Sequence, residues 1–359
     1  MKLVAHNDGL DLRGNERQLA LLVEGLVQRG HSAVVSSRPG GALRDVLRTS
    51  GIRTTDARPR GDLDLVNAWR FRSMVRSEAP DALLLTSWKR ILTAGWAGRH
   101  AGVRRIAVRL GIVRPAPSRK VPEWRVRQTF LRYVDLLIVN SSDVRNTWLE
   151  SAPWFPEERV HVVNNAVAPV RGDGTRLRAE LRVDSTASLV TAVGALERRK
   201  GFDLVIRAIA QLPSNVHAVF AGAGPEEANL RQLAGDLGVT ARTHFLGQRG
   251  DVPDILAASS AFVLPSRMDS LANSMLEAMS AGVPVVATSG NGVGDALAER
   301  DGRSAAGGIT EPEDDTALAA GIGEAIQDGG VRAREGQWRA QHWFSVDTMV
   351  DAYERLLFA

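Results

Sequence analysis

The chain has 359 residues, 44% hydrophobic and 24% charged, with no cysteine and a formal net charge of +4. That length exceeds what one hydrophobic core usually serves, so two globular domains are expected. The absence of cysteine excludes disulfides, thiolate metal sites and a cysteine nucleophile and fits a reducing cytoplasm; a start that turns polar after five residues, with no run of 18 apolar residues later, predicts neither a signal peptide nor a membrane span.

In chain order, "KLVAH" reads as a first strand, "NERQLALLVEGLVQRG" as an amphipathic helix closed by Gly30, and "SAVVSS" as a second strand. "DALLLTS", "RRIAVRL" and "VDLLIVNSS" follow at strand length, separated by helical stretches such as "RILTAGWAGRHAG", and "VHVVNN" ends the series near Asn165. This alternation marks a parallel sheet with crossover helices, hence a doubly wound α/β domain over residues 1–165. Residues 166–188, rich in Gly, Arg and Asp, read as a linker plus a first helix. A second series over 189–340 begins with the strand "LVTAVGAL", the helix "GFDLVIRAIAQL", the strand "VHAVFAGAG" and the helix "EEANLRQLAGDLG". It continues through "THFLGQ", "VPDILAAS" and "AFVLPS" to "DSLANSMLEAMSAGVPVVAT", and residues 341–359 form a C-terminal helix expected to pack back toward the first domain. Two such domains place their ligand crevices at the carboxyl ends of the strands, in a cleft between them.

Charge is divided unevenly. Residues 1–165 hold 27 Lys and Arg against 16 Asp and Glu, the remainder 18 against 25. Residues 99–132 hold ten Lys and Arg and one acid, with Trp124 and Phe130 interleaved. An interfacial segment on anionic lipid has this composition; so do a nucleic-acid surface and a solvated basic face beside a buried strand.

Five strand-to-helix turns carry chemistry. Gly14 and Asn15 precede a helix, where exposed N–H groups hold an anion or serve as an ordinary cap. Arg198, Arg199 and Lys200 precede another, as a solvated face or as neutralisers of a diphosphate. Gly222, Gly224 and Pro225 let backbone approach a ligand closely. Gln248 and Arg249 stand at a rim where a flat base is stacked or met by backbone groups, or form a plain turn. The last turn holds Asp269, eight residues before Glu277, ahead of a helix that buries Leu271, Met275, Ala278, Met279 and Gly282 on one face. A capping box, Ser274-x-x-Glu277, is a structural alternative that accounts for Glu277 but not for Asp269.

This order of motifs resembles the retaining nucleotide-sugar glycosyltransferases of family 4, with two Rossmann-like domains in the GT-B fold. The resemblance runs from "GNERQLALLVEGLVQRGHSAVV" through "VNNAV" to "FSVDTMVDAYERLL", and Asp269-x7-Glu277 followed by "AMSAGVPVVAT" is its most specific part. It implies that Glu277 accepts both ribose hydroxyls of the donor, that Asp269 faces the donor sugar, that the backbone N–H groups of Ser270 and Leu271 approach the phosphates, and that Asn273 is donor-binding. It implies that Lys200 neutralises the leaving diphosphate and that Gly14 closes on the phosphates from the other domain. No metal and no cofactor is implied; the partners are a nucleoside-diphosphate-sugar and a glycan or lipid-linked acceptor reached from the inner face of the cytoplasmic membrane through residues 99–132, with no nucleic acid. Three features depart from the family pattern: Ala195 stands where Arg is usual, with Arg198 or Arg199 as substitutes, Asp269 replaces the commoner Glu, and the first domain's middle strands end in Thr86, Ser87, Trp88, Lys89, Arg109 and Leu110 rather than histidines. A nucleotide-sugar epimerase of the same fold and a degenerate binding subunit are the alternatives.

Overall fold

The computed structural model describes residues 1–61, 64–111, 122–290 and 292–358. The chain divides into two compact units, residues 1–166 with 346–359, and residues 167–345.

In the first unit the strands are β1 (Lys2–His6), β2 (Ser32–Ser36), β3 (Arg53–Thr55), β4 (Ala82–Leu85), β5 (Arg105–Leu110), β6 (Leu136–Val139) and β7 (Val160–Val162). They pair in parallel in the order β3-β2-β1-β4-β5-β6-β7. The helices are α1 (Gly14–Gln28), α2 (Ala42–Thr49), α3 (Leu65–Glu78), α4 (Trp96–Ala101), α5 (Glu123–Tyr133) and α6 (Ser142–Ser151). A parallel sheet is covered on both faces, so its strands are apolar at every position rather than at alternate ones. β4 obeys this: Leu83 and Leu85 enter the core layer that holds Phe71, Val75 and Phe130, while Ala82 and Leu84 enter the opposite layer with Leu19, Leu22 and Val23. The strand expected over 160–165 stops at Val162, and Asn164 and Asn165 beyond it turn their side chains to Asn140 O (3.0 Å) and Arg109 (2.7 Å).

The second unit holds α7 (Thr175–Leu181), β8 (Ser188–Val193), α8 (Phe202–Gln211), β9 (Val216–Ala221), α9 (Glu227–Asp236), β10 (Thr243–Phe245), α10 (Val252–Ala257), β11 (Ala261–Leu264), α11 (Asn273–Ser280), β12 (Val285–Thr288), α12 (Val293–Leu297), β13 (Gly307–Thr310), α13 (Asp315–Gln327) and α14 (Val331–His342). Its strands pair in parallel in the order β10-β9-β8-β11-β12-β13. Residues 167–187 pack within this unit: a Cβ on Gly172 would lie 2.2 Å from Pro253 O, and one on Gly174 2.6 Å from Ala258 N.

The chain then returns to the first unit as α15 (Val346–Phe358), whose Met349, Val350, Tyr353 and Leu357 are buried against α1. Gly25 in α1 is the contact point, because a Cβ there would stand 2.6 Å from Val350. Arg29 at the end of α1 holds Asp347 (3.0 Å), Glu354 (2.9 Å) and Asp351 of the same helix.

Both sheets are doubly wound. The strand order reverses between β1 and β4 in one unit and between β8 and β11 in the other, and a crevice opens beyond the carboxyl ends of the strands at such a point.

Candidate functional site

At the second unit's switch point, the turn after β8 and the loop after β11 face each other. The Lys200 ammonium donates to the Asp269 carboxylate; their side chains are 16% and 12% exposed. Asp269 also accepts from Ser266 Oγ (3.4 Å) and from the Ser270 backbone N–H (3.0 Å), so that N–H faces its neighbour's carboxylate here.

Two ties hold these loops in register. The N–H groups of Arg267 and Met268 donate to Arg199 O at 2.9 and 3.2 Å. The Arg267 guanidinium donates to Asp203 (2.7 and 2.8 Å), to Glu313 (2.9 Å) and to Arg198 O (3.0 Å). Burial alone would raise the Asp203 pKa, yet the Arg267 hydrogen bonds and charge hold it below the usual carboxylate value. Gly201, at φ +68°, completes the join: a Cβ there would fall 2.0 Å from Pro265 O. The sequence did not single out Arg267, whose partners lie 64 and 46 residues away.

The helix α11 begins at Asn273 with Ala272 as its N-cap and no side-chain cap hydrogen bond. Ser274 is therefore inside the first turn, and the capping box is not formed. Glu277 lies one turn further on, partly buried, on the same face as Asn273 and Ser274, while Leu271, Met275, Ala278 and Met279 are in the core.

Other predicted residues are placed differently. Gly222 and Gly224 are explained by backbone packing between turns: Cβ atoms there would meet Gly194 O at 1.8 Å and Leu196 O at 2.4 Å. Arg249 does not present a free guanidinium; it is held by Glu180 (2.6 Å) and Asp251 (2.6 Å), and its hydrogen bonds pull the Asp251 pKa to about 2. Gln248 is exposed. Of the substitutes for an arginine at the exposed Ala195, Arg199 donates to Glu197 (2.6 Å) and Arg198 is exposed.

The first unit's switch point carries a cavity of about 650 Å³, lined by residues that include Asp8, Arg38, Arg58, Arg60 and Arg90. Asp8 accepts from Arg58 (3.0 Å) and Arg90 (2.8 Å). The floor is a polar network in which Asn7 Nδ2 donates to Glu16 (3.0 Å) and Thr86 Oγ1 (2.9 Å), and the Gly9 N–H donates to Asn7 Oδ1 (2.7 Å). Behind it His6 is 1% exposed, with Nδ1 3.0 Å from Ser36 Oγ. The Ser36 hydroxyl proton goes to Ala57 O (2.7 Å), so Ser36 Oγ accepts from His6 Nδ1–H, and His6 Nε2 carries the lone pair 3.9 Å from Asp8. Sequence reasoning passed over Asp8 and Arg90, whose signal is a charged residue just past a strand end.

Gly14 is exposed at the start of α1, but Asn15 is a structural tie: its Nδ2 donates to Thr86 O (3.1 Å) and its Oδ1 accepts from Arg109 (2.5 Å). Arg109 is 3% exposed and spends its other terminus on Asn165 (2.7 Å), so it stitches α1, β5 and the end of β7 together instead of facing an acceptor. The Lys89 side chain lies outside the described residues.

The described parts of residues 99–132 are partly interior. They include β5, a sheet-interior strand, and Phe130, 2% exposed among Trp148, Trp154 and Phe155; residues 112–121 lie outside the described residues. Trp124 is 67% exposed. A different apolar face stands out on α3, where Leu65, Val66 and Trp69 are 70%, 65% and 56% exposed and Arg72 lies 4.8 Å over the Trp69 ring. Among the described residues no helix is long and apolar enough to cross a membrane, and no group of three or more His, Asp or Glu is placed to hold a metal ion.

Comparison with known proteins agrees with this architecture. The family described as Glycosyltransferase Family 4 matches residues 12–171, and that described as Glycosyl transferases group 1 matches residues 173–340. The lipopolysaccharide core biosynthesis glycosyltransferase LpsE of Rhizobium meliloti (strain 1021) is 30% identical over 99% of this chain and 99% of its own. LpsD of the same organism is 27% identical over 95% and 93%. The crystal structure of Anabaena Alr3699/HepE in complex with UDP-glucose superposes with a TM-score of 0.84 at 22% identity, covering 99% of each chain, and shows the same fold of two Rossmann-like domains. A doubly wound pair of units and full-length similarity to LpsE make this chain a member of the family 4 glycosyltransferases.

Proposed function

We propose that the protein is a retaining glycosyltransferase that takes a sugar from a nucleoside-diphosphate carrier and passes it to a hydroxyl of a cell-envelope glycan. The observation that carries this reading is the pairing of Lys200 with Asp269 at the switch point, with Glu277 in the second turn of the helix that follows. In this reading the donor opens the ion pair. Asp269 accepts from the sugar hydroxyls, Lys200 meets the diphosphate as its charge develops, and Glu277 accepts from the ribose diol. The acceptor hydroxyl bonds to the anomeric carbon on the face from which the diphosphate leaves as the carbon–oxygen bond to the diphosphate breaks, and its proton passes to the departing phosphate oxygen; this preserves the anomeric configuration, and the leaving charge is met by Lys200 without a bound cation. LpsE supports the cell-envelope part, and the HepE complexes with UDP and UDP-glucose support the donor class. The apolar face of α3, bordered by Arg70 and Arg72, supports peripheral contact with an anionic membrane surface, where a glycan acceptor on a lipid is met.

The test is a thermal-shift screen of UDP-, GDP-, ADP- and dTDP-sugars on the wild type, Lys200→Ala and Glu277→Ala. One nucleotide class raises the wild-type Tm, and both variants lose that shift. If no nucleotide stabilises the wild type, the reading fails.

A further inference from the structure

The first unit's cavity has a chemistry that the donor reading leaves unused. Four successive strands of the sheet, β3, β2, β1 and β4, each deliver a charge just past their carboxyl ends. Arg58 and Arg60 follow β3, Arg38 follows β2, Asp8 follows β1 and Arg90 follows β4. Four guanidiniums and the two carboxylates of Asp8 and Glu16 line one concave space, so it is net positive.

The charges fall into two layers. Glu16 is 8% exposed and engaged by Asn7, and Asp8 spends its oxygens on Arg58 and Arg90. This inner layer is fixed and close to neutral, and the Asp8 carboxylate, 20% exposed and with lone pairs beyond those the two arginines use, suits a sugar hydroxyl. Arg38 and Arg60 are exposed at the mouth and supply the excess positive charge. Planar guanidiniums suit carboxylate and phosphate oxygens, with which they form paired hydrogen bonds. A volume of about 650 Å³ lies within the range of small-molecule sites and holds a sugar ring with a charged substituent. Gly9 keeps the space open, since a Cβ there would lie 2.3 Å from Glu16 Oε1 and displace the floor.

We propose that this pocket selects an anionic acceptor, a sugar residue bearing a carboxylate or phosphate, with Arg38 and Arg60 on the anion and Asp8 on a ring hydroxyl. This assignment rests on the glycosyltransferase reading for the word acceptor, but the binding it predicts does not depend on that reading.

The test uses the full chain and four probes: methyl β-D-glucuronide, glucose 6-phosphate, methyl β-D-glucoside and UDP-glucose. Ligand-observed NMR gives affinities, and the thermal shift gives an independent readout. At least one anionic sugar binds and the neutral glucoside binds at least tenfold more weakly; the tighter of glucuronide and glucose 6-phosphate identifies the substituent. Arg38→Ser and Arg60→Ser each weaken anionic-sugar binding by about tenfold, the scale of one charge-assisted contact, and leave the UDP-glucose shift unchanged. Arg60→Lys, which keeps the charge, recovers part of the loss and shows that the effect is not misfolding. Equal binding of neutral and anionic sugars, or no binding of any of the three, overturns the proposal. So does a loss of UDP-glucose binding in Arg38→Ser with anionic sugars unaffected, which would give the pocket to the donor diphosphate. A wild type that binds anionic sugars but no nucleotide keeps the pocket assignment and removes the donor reading instead.

Discussion

Lys200 follows β8 and Asp269 follows β11, and the first donates a hydrogen bond to the second where the strand order of the sheet reverses. Each charge has the other as a counterion in a place that water reaches only in part. In a double-mutant cycle with Lys200→Met and Asp269→Asn, unfolding free energies couple by about 1 kcal/mol or more. Additive single effects would show that the pair carries no energy. On the proposed mechanism sugar transfer responds more steeply: Lys200→Ala lowers kcat by about 10²- to 10³-fold, the usual cost of removing one group that meets developing charge.

Arg267 touches neither of those side chains, yet it joins their loops. Arg267→Leu leaves Asp203 without its bidentate partner and frees the loop after β11 from Arg198 O and Glu313. Urea unfolding shows a loss of about 1–3 kcal/mol. Transfer falls by more than the stability change explains at a temperature where the variant is fully folded. Unchanged turnover would mean that the loop holds its shape without the clamp.

Gly222→Ala and Gly224→Ala fail at folding rather than at binding. The new methyl groups collide with the carbonyl oxygens of Gly194 and Leu196, rigid backbone atoms that cannot move aside, and Gly222 also sits at φ +152°. Losses above about 3 kcal/mol are expected, with low soluble yield. A well-folded Gly224→Ala that has lost nucleotide binding would point to a ligand contact instead.

His6 sets a pH dependence in the first unit. Burial pushes its pKa down to about 4; Asp8 opposes the shift, while Arg58 and Arg90 add to it. Its unfolded value lies near 6.5, so between those limits the unfolded chain binds more protons and stability rises with pH. The contribution is complete above about pH 6.5 and is lost as pH falls toward 4, a swing of about 3 kcal/mol. Urea titrations from pH 4.5 to 7 on the wild type and His6→Gln check it, because the variant lacks this part of the slope. Parallel curves would show that His6 titrates normally.

The α3 face predicts vesicle binding. The wild type sediments with vesicles containing anionic lipid, and Leu65→Ser with Val66→Ser reduces the bound fraction several-fold with little change in melting temperature, because these side chains are 70% and 65% exposed. Equal absence of the wild type from anionic and neutral vesicles removes the membrane claim.

How far the sequence revealed these features depended on burial and distance. Strands such as "DALLLTS" and "VDLLIVNSS" were legible because a strand covered on both faces must be apolar throughout, and the folded β4 and β6 are. The edges were not: β3 is three partly exposed residues, and β13 contains Gly307 and Gly308, so neither carries an apolar run. Asp269 and Glu277 stood out because a loop acid and a helix acid at fixed spacing need a shared explanation. The Arg267 clamp and the basic cavity were hidden by long sequence separation, as with Asp8 and Arg90, which are 82 residues apart. Within residues 99–132, charge counted along the chain mixes a central strand, β5, with the helices on either side of it, so the count alone does not say which basic residues face solvent.

The return of the chain as α15 has a consequence for synthesis. Leu19, Leu22 and Val23 on α1 share a core layer with Met349, Val350, Tyr353 and Leu357, which the ribosome makes more than 300 residues later. The half of the protein that is translated first is thus the last to be sealed, and its nascent form waits with an uncovered greasy stripe while the whole second unit emerges and folds. Termination at the junction between Ser345 and α15 should therefore yield a product that chaperones hold or proteases clear, even though the second unit within it is complete.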